Sequence, residues 1–164
     1  MINVLINGCN GKMGQVLLNQ IQSNENFNYI GGCDAEIDIH SVQGIPDVII
    51  DFSTPEATLS MLQYAEEKHI PVVIATTGFN DNQLEKIDEY SKKLPIFKSA
   101  NMSYETNLMI SLVSKLAKEL DNADIEIVET HHNKKVDAPS GTALMIADGI
   151  NKARDNSMYY EYDR

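Results

Sequence analysis

Two histidines and two lysines occur within five residues, 131–135, of a chain whose formal net charge is −11. Directly after them, Ser140-Gly141-Thr142 is typical of a helix start, where unpaired N–H groups and the helix dipole attract anions. The lysines add full positive charge, and histidine is the side chain that exchanges a proton near neutral pH. The segment therefore predicts a site that binds a carboxylate and has a proton donor beside it.

Two plainer interpretations of this segment remain open. It can be a solvated basic loop in front of a capped helix, or a metal site formed by His131 and His132. No metal is expected, because no third ligand of suitable spacing is visible. Adjacent side chains of an extended segment point in opposite directions, so we expect at most one of the two histidines to donate a proton.

A glycine-rich segment, Gly8-Cys9-Asn10-Gly11-Lys12-Met13-Gly14, follows the first predicted strand. Glycines at such a turn let the N–H groups of a helix start approach a pyrophosphate. The spacing is G-x-x-G-x-x-G rather than the common G-x-G-x-x-G, and we expect Asn10, which tolerates a positive φ, to preserve the turn. Asp34, 20 residues after Gly14, is placed to accept hydrogen bonds from ribose hydroxyls. Strand, turn, helix and acid in this order favour dinucleotide binding over a structural glycine turn with a solvated Asp34.

The charge on Asp34 favours NADH, because a carboxylate repels the 2′-phosphate of NADPH, while Lys12 partly offsets that repulsion. The sequence favours NADH but does not exclude NADPH. Two further loops, Thr76-Thr77-Gly78-Phe79 and 99–103, follow the fourth and fifth predicted strands. Ligands of parallel sheets bind at the carboxyl ends of the strands, so these loops are placed to line the nicotinamide half of a cofactor.

The elements that position these residues follow from hydrophobic periodicity. Short Val- and Ile-rich runs alternate with segments of helical period, which is typical of an α/β protein with a doubly wound parallel sheet. The predicted strands are 3–7, 29–33, 48–51, 72–76 and 96–98. The predicted helices start at Pro55 with Thr54 as cap, start near Asn80 or Asp81, span 105–120, and span about 140–153.

The pattern changes after residue 102. The helix over 105–120 has its apolar face on Leu108, Leu112, Val113, Leu116 and Leu120. The segment 125–129 alternates apolar and charged residues and predicts a strand covered on one face. We expect a dinucleotide-binding domain at 1–102 and the start of an α+β substrate domain at 103–164, incomplete because one lone strand cannot form a sheet.

Composition limits the class of protein. With 164 residues, 43% of them hydrophobic and 23% charged, the chain is expected to form one globular domain or two small ones. Its acidic balance argues against binding to nucleic acid or to an anionic membrane. No signal peptide or membrane helix is visible, and Cys9 and Cys33 form no CxxC pair, so we expect a cytoplasmic protein with two small buried thiols.

Together these segments resemble the 4-hydroxy-tetrahydrodipicolinate reductase family of lysine and diaminopimelate biosynthesis. The resemblance is carried by the glycine loop, Asp51-Phe52-Ser53, Thr76-Thr77-Gly78-Phe79, Ala100-Asn101-Met102-Ser103 and above all the signature Glu-x-His-His-x-x-Lys-x-Asp-Ala-Pro-Ser-Gly-Thr-Ala at 129–143. It implies a Rossmann-type cofactor domain followed by a mixed-sheet substrate domain. The implied activity is NAD(P)H-dependent reduction of a cyclic dicarboxylate to tetrahydrodipicolinate.

The resemblance also implies roles for individual residues. His131 is the general acid, and Lys135 hydrogen-bonds the substrate and offsets developing charge. His132, Ser140, Gly141 and Thr142 hold the substrate carboxylates. Cofactor contacts are implied for Gly8, Asn10, Gly11, Lys12, Met13, Gly14, Asp34, Thr76, Thr77, Gly78, Ala100 and Met102.

Two departures from the family pattern leave a second hypothesis open. The segment 103–107 is bulkier and more acidic than the expected family version, and family members, which are homotetramers, continue past the position of Arg164. The missing part supplies most of the substrate-domain sheet, so the alternative is a module that binds NADH through residues 1–102 without turnover. A neighbouring Rossmann amino-acid dehydrogenase is disfavoured, because it does not need the His-His-Lys signature.

Overall fold

The computed structural model of this chain describes residues 1–133, 135 and 138–162. The chain divides into two compact units, Met1–Ser99 and Ala100–Arg164. Among the described residues, no helix combines the length and the apolar composition needed to cross a membrane.

Unit 1 contains a five-stranded parallel sheet. Its strands are β1 (Ile2–Asn7), β2 (Phe27–Cys33), β3 (Val48–Asp51), β4 (Val72–Ile74) and β5 (Ile96–Lys98). Their spatial order is β2-β1-β3-β4-β5, and every neighbouring pair is parallel. This order confirms the predicted doubly wound α/β sheet, with the chain turning in opposite directions on the two sides of the β1/β3 pair. The strands differ from prediction only at their ends, since β1 begins one residue earlier, β2 begins two residues earlier and β4 ends two residues earlier.

Three helices accompany the sheet, and local signals account for where they start. They are α1 (Lys12–Gln22), α2 (Pro55–Lys68) and α3 (Asp81–Ser91), with one 3₁₀ turn at Ile39–Ser41. Thr54 caps α2 by accepting the N–H of Ala57, with Pro55 as the first helical residue, as predicted. At the start of α3, Asn80 and Gln83 form a reciprocal capping box.

The core of unit 1 lies on both faces of β1. Leu5 packs into a cluster that includes Leu62 of α2, whereas Val4 and Ile6 pack into a second cluster with Ile21 of α1. Successive strand residues point to opposite faces, so a continuous apolar strand serves both layers.

A buried polar network joins the carboxyl ends of the central strands. Asp51 is wholly buried, and its Oδ1 accepts hydrogen bonds from Asn7 Nδ2 at 2.8 Å and from Ser53 Oγ at 2.5 Å. Its Oδ2 accepts the hydroxyl of Thr58 in α2 at 2.6 Å. Asn7 Oδ1 in turn accepts the thiol of Cys33 at 3.1 Å, and burial raises the pKa of that thiol to about 12. Both Cys33 and Cys9 are free and buried, which confirms their prediction as small core residues.

Unit 2 contains two helices that pack together, α4 (Tyr104–Glu119) and α5 (Gly141–Ala153). The contact is close at Gly149, where an added Cβ would lie 2.8 Å from Ile110 Cγ2 and 3.0 Å from Ser114 Oγ. After α5, the guanidinium of Arg154 donates to three carbonyl oxygens at the end of α4, those of Ala117, Leu120 and Ala123. These bonds supply partners for carbonyls that have none within a helix.

Two expectations about unit 2 are corrected by the structure. The strand predicted over 125–129 is wrong, because the part of the chain that the structure describes has strands in unit 1 alone. Apolar and charged residues do alternate over 125–129, but a strand needs a neighbouring strand to complete its backbone hydrogen bonds. The helix predicted over 105–120 is confirmed as α4, but on its predicted apolar face Val113 is half-buried and Leu108, Leu112, Leu116 and Leu120 are exposed. Helix α5 packs instead on the face with Ile110 and Ser114, where Gly149 permits close approach.

Replacement of Asp51 tests the buried network. Asp51→Ala leaves several buried donors without their acceptor, and we expect the free energy of unfolding to fall by about 2 to 4 kcal/mol in urea titrations. Asp51→Asn should lower the free energy of unfolding by less, about 1 kcal/mol. Its amide nitrogen can face the Thr58 hydroxyl, which then donates to the Thr54 carbonyl 3.0 Å away. Equal losses for the two variants would contradict this account.

Candidate active site

The turn after β1 depends on glycine at two positions. Gly8 has φ +82°, and an added Cβ there would overlap the carbonyl of Phe52, the residue that follows β3. An added Cβ on Gly14 would overlap the carbonyl oxygen of Gly8. The glycines therefore let the first turn of α1 pack directly on the loop, and they let two loops meet at the carboxyl ends of β1 and β3.

The start of α1 is open to an anion. Gly11 is the N-cap residue and has no side chain to occupy the first N–H groups of the helix. Lys12 and Met13, the first two helical residues, are exposed. The arrangement fits the pyrophosphate of a dinucleotide, which is bound by backbone N–H groups at such a position.

Asn10 does not have the positive φ that was expected of it, and that expectation is wrong. Among the non-glycine residues described, the positive values belong to His69, Asp155 and Asn156. The left-handed position falls on Gly8 instead, where no Cβ opposes it. The N–H of Asn10 donates to Asp34 Oδ2 at 2.9 Å, so the asparagine joins the loop to the acid through its backbone.

Asp34 follows β2 and accepts two backbone hydrogen bonds, from Asn10 and, at Oδ1, from Ala35 at 2.8 Å. Each carboxylate oxygen has more than one lone pair, so these bonds leave acceptor sites for ribose hydroxyls. Asp34 is half-buried and lines a cavity at the carboxyl ends of the central strands.

A cavity of about 650 Å³ lies at the carboxyl ends of β1 and β3. It brings together four predicted cofactor residues, Gly8, Asn10, Gly11 and Asp34. Ile37, Ile39 and Met61 supply an apolar wall suited to an adenine ring, and Asp38 adds a second carboxylate to the lining. The cavity fits the adenosine half of a dinucleotide in its volume, its glycine backbone, the carboxylate of Asp34 and its apolar wall.

Thr76, Thr77 and Gly78 follow β4 outside the lining of this cavity. Thr76 is buried, and its Oγ1 accepts the N–H of Ser53 at 2.8 Å, which joins this loop to the one after β3. Thr77 and Gly78 are exposed, and Gly78 has φ +85° in open space. The structure thus gives Thr76 a structural bond and leaves the next two residues accessible.

In unit 2, a carboxylate connects His131 to the start of α5. Glu129 Oε2 lies 2.7 Å from His131 Nε2. The same carboxylate accepts the backbone N–H of Ser140 at 2.8 Å and its hydroxyl at 2.5 Å. These hydrogen bonds hold the pKa of Glu129 well below its ordinary value of 4.5, at about 2, with the bond to His131 as the largest cause.

The other predicted residues of unit 2 fall into two groups. The N–H of Lys135 donates to the carbonyl of His132 at 3.2 Å, which forms a turn of the signature. Lys134, Val136 and Asp137 of the signature lie outside the described residues. Near the helix start, Asn101 Nδ2 donates to Thr142 Oγ1 at 2.9 Å.

Ala100 and Gly141 are also brought together, since an added Cβ on Gly141 would lie 3.4 Å from that of Ala100. Met102 is exposed ahead of Ser103, the N-cap of α4. The loop 100–102 therefore contacts the N-terminal end of α5 through Ala100 and Asn101, within unit 2.

Two residues of this site were missed on the sequence. Glu129 had a usable signal, because residues two apart in an extended segment point to the same side, which puts Glu129 beside His131. Asn101 had no local signal, since its partner Thr142 is 41 residues away.

The chain matches known proteins along its whole length. A family profile described as dihydrodipicolinate reductase, N-terminus, matches residues 2–102, and one described as dihydrodipicolinate reductase, C-terminus, matches residues 106–162. A 4-hydroxy-tetrahydrodipicolinate reductase of Caldanaerobacter subterraneus subsp. tengcongensis is 47% identical and covers 100% of this chain, which spans 69% of that protein. One from Clostridium tetani is 41% identical with the same coverages.

A solved structure is similar as well. It is described as a dipicolinate-bound dihydrodipicolinate reductase from Paenisporosarcina sp. TG-14 and superposes with a TM-score of 0.68 at 28% sequence identity. The match covers 100% of this chain and 71% of that one.

The lowered pKa of Glu129 predicts a pH dependence of stability. A carboxyl group whose pKa is lower in the folded state stabilises fully above its unfolded value and loses that contribution as pH falls. We therefore expect the contribution of Glu129 to disappear between about pH 4.5 and pH 2. Urea unfolding at pH 6 and pH 3 should show a smaller pH effect in Glu129→Gln than in the wild type.

The matched control is Glu119→Gln, which changes an exposed carboxylate at the end of α4. It should keep the pH effect of the wild type. The same pH effect in all three proteins would contradict the prediction.

Proposed function

This chain belongs to the dihydrodipicolinate reductase family, NAD(P)H-dependent oxidoreductases that reduce 4-hydroxy-tetrahydrodipicolinate in lysine biosynthesis, and we propose that His131 donates the proton in that reaction. Residues 1–102 bind the cofactor in this proposal, and residues 103–164 bind the cyclic dicarboxylate. The 4-hydroxyl group of the substrate leaves as water with a proton from the neighbouring ring carbon, and a bound NAD(P)H would supply a hydride to the carbon that lost the hydroxyl. His131 protonates the neighbouring carbon, and Lys135 hydrogen-bonds the substrate and offsets the charge that develops.

The substrate carboxylates are held at the start of α5 in this proposal. Ser140 uses its N–H and its hydroxyl on Glu129, so its part is to hold the turn in shape. The N–H groups of Gly141 and Thr142, next in the first turn, face the anion with the positive end of the helix dipole. His132 supplies a further contact from the basic segment.

The cofactor contacts follow the cavity of unit 1. Gly8, Asn10, Gly11, Lys12, Met13 and Gly14 bind the pyrophosphate through the loop and the start of α1, and Asp34 binds the adenosine ribose. Thr76, Thr77, Gly78, Ala100 and Met102 contact the nicotinamide half. We propose NADH as the favoured cofactor, because Asp34 and Asp38 both line the cavity and both repel a 2′-phosphate.

The observation that carries the proposal is the contact of His131, through Glu129, with the start of α5. It puts a group that can donate a proton at a helix end that attracts carboxylates. The test is a fluorescence titration of the purified chain with NADH, followed in the same sample by enzymatically generated substrate. Binding followed by oxidation supports the reductase, and binding without oxidation supports the non-catalytic NADH-binding module.

Replacement of His131 tests the proton donor. His131→Gln should lower kcat by roughly 100-fold or more and leave the Kd for NADH unchanged, because proton donation alone is removed. His132→Gln is the companion variant and should raise KM more than it lowers kcat. An unchanged kcat in His131→Gln would remove His131 from the mechanism.

Replacement of Asp34 tests the cofactor preference. Asp34→Ala should raise the Kd for NADH about 10-fold relative to the Kd for NADPH, because it removes both the ribose acceptor and the repulsion of the 2′-phosphate. The readout is the ratio of the two Kd values. Glu36→Gln, an exposed acid two residues away, should leave that ratio unchanged. Equal weakening of both cofactors by Asp34→Ala would contradict the ribose role.

A further inference from the structure

The carboxylate of Glu129 accepts hydrogen bonds from Ser140 in addition to the cap that Ser140 forms for α5. Ser140 already caps α5, since its Oγ accepts the N–H of Ala143 at 3.1 Å. Its own hydroxyl proton and backbone N–H then go to the two oxygens of Glu129, at 2.5 and 2.8 Å. Ser140 is buried, whereas Glu129 comes from a segment without helix or strand. The helix start therefore fixes Glu129 in place.

The fixed carboxylate determines the orientation of His131. The ring is exposed and lies in the same irregular segment as Glu129. A carboxylate that accepts hydrogen bonds from Ser140 can contact His131 at 2.7 Å only if Nε2 carries the hydrogen. The ring then presents Nδ1 to its surroundings, and the negative charge of Glu129 stabilises the imidazolium form.

We infer that Glu129 is a positioning residue, which orients His131 through Nε2 so that Nδ1 is the atom that delivers the proton. This rests on the proposed role of His131 as proton donor. The chain of contacts runs from the N–H of Ala143 through Ser140 and Glu129 to His131. The same helix start that attracts substrate carboxylates thus also orients the proton donor.

The first test is spectroscopic and needs no activity. Long-range proton–nitrogen correlations of the histidine rings in nitrogen-15-labelled protein distinguish protonated from unprotonated Nδ1 and Nε2. In the wild type, the neutral ring of His131 should carry its hydrogen on Nε2. In Glu129→Gln the amide has a donor nitrogen as well as an acceptor oxygen, so it no longer requires a hydrogen on His131 Nε2. The preference for the Nε2 hydrogen should therefore be lost. Neutral His131 with hydrogen on Nδ1 in the wild type would overturn the inference.

The second test is kinetic and uses a double-mutant cycle. Glu129→Gln should lower kcat by roughly 10- to 100-fold with the Kd for NADH unchanged, and Glu119→Gln should alter neither value. If Glu129 acts through His131, the variant with both His131→Gln and Glu129→Gln should be no slower than His131→Gln alone. A double variant that multiplies the two losses would overturn the inference.

The two proposals fail in different ways. If His131→Gln keeps its rate, the proposed proton donor is wrong, whatever Glu129 does. If His131→Gln is slow but Glu129→Gln keeps both its rate and the Nε2 hydrogen, the proton donor stands and the positioning role is wrong. If Glu129→Gln does not fold, the ring correlations of the wild type still decide between Nε2 and Nδ1.

Discussion

The carboxylate of Asp51 has no contact with solvent, so every hydrogen bond that it needs comes from the protein. Its donors are Asn7 at the end of β1, Ser53 after β3 and Thr58 in α2. Asn7 directly precedes Gly8, and Phe52 between Asp51 and Ser53 supplies the carbonyl that Gly8 packs against. Asp51 therefore joins the two loops that meet at the cavity of unit 1.

Unit 2 uses a carboxylate in a similar way, in a different environment. Glu129 connects an irregular segment to the start of α5, and its donors are Ser140 and His131. Glu129 is accessible to water, and its hydrogen bonds to His131 and Ser140 lower its pKa, so its contribution to stability depends on pH. The buried carboxylate joins the loops that line the cavity of unit 1, whereas the accessible one joins His131 to the start of α5.

Features with short-range causes were predictable from the sequence. The caps of α2 and α3 depend on Thr54 with Pro55 and on Asn80 with Gln83, in each case within three residues. The wrong predictions have long-range causes. A strand over 125–129 needs a partner strand that the described part of unit 2 does not contain, and the φ of Asn10 depends on how Gly8 meets a loop 44 residues later.

The sequence by itself determined the order of strands and helices, the glycine turn and the residues of the signature, because periodicity, capping and turn chemistry act between near neighbours. Only the tertiary structure decided that Asn7 reaches Asp51 and that Asn101 reaches Thr142. The physical reason is that a hydrogen bond needs two groups within about 3 Å. Packing of the whole unit sets that distance for Asn7 and Asp51, which are 44 positions apart, and for Asn101 and Thr142, which are 41 positions apart.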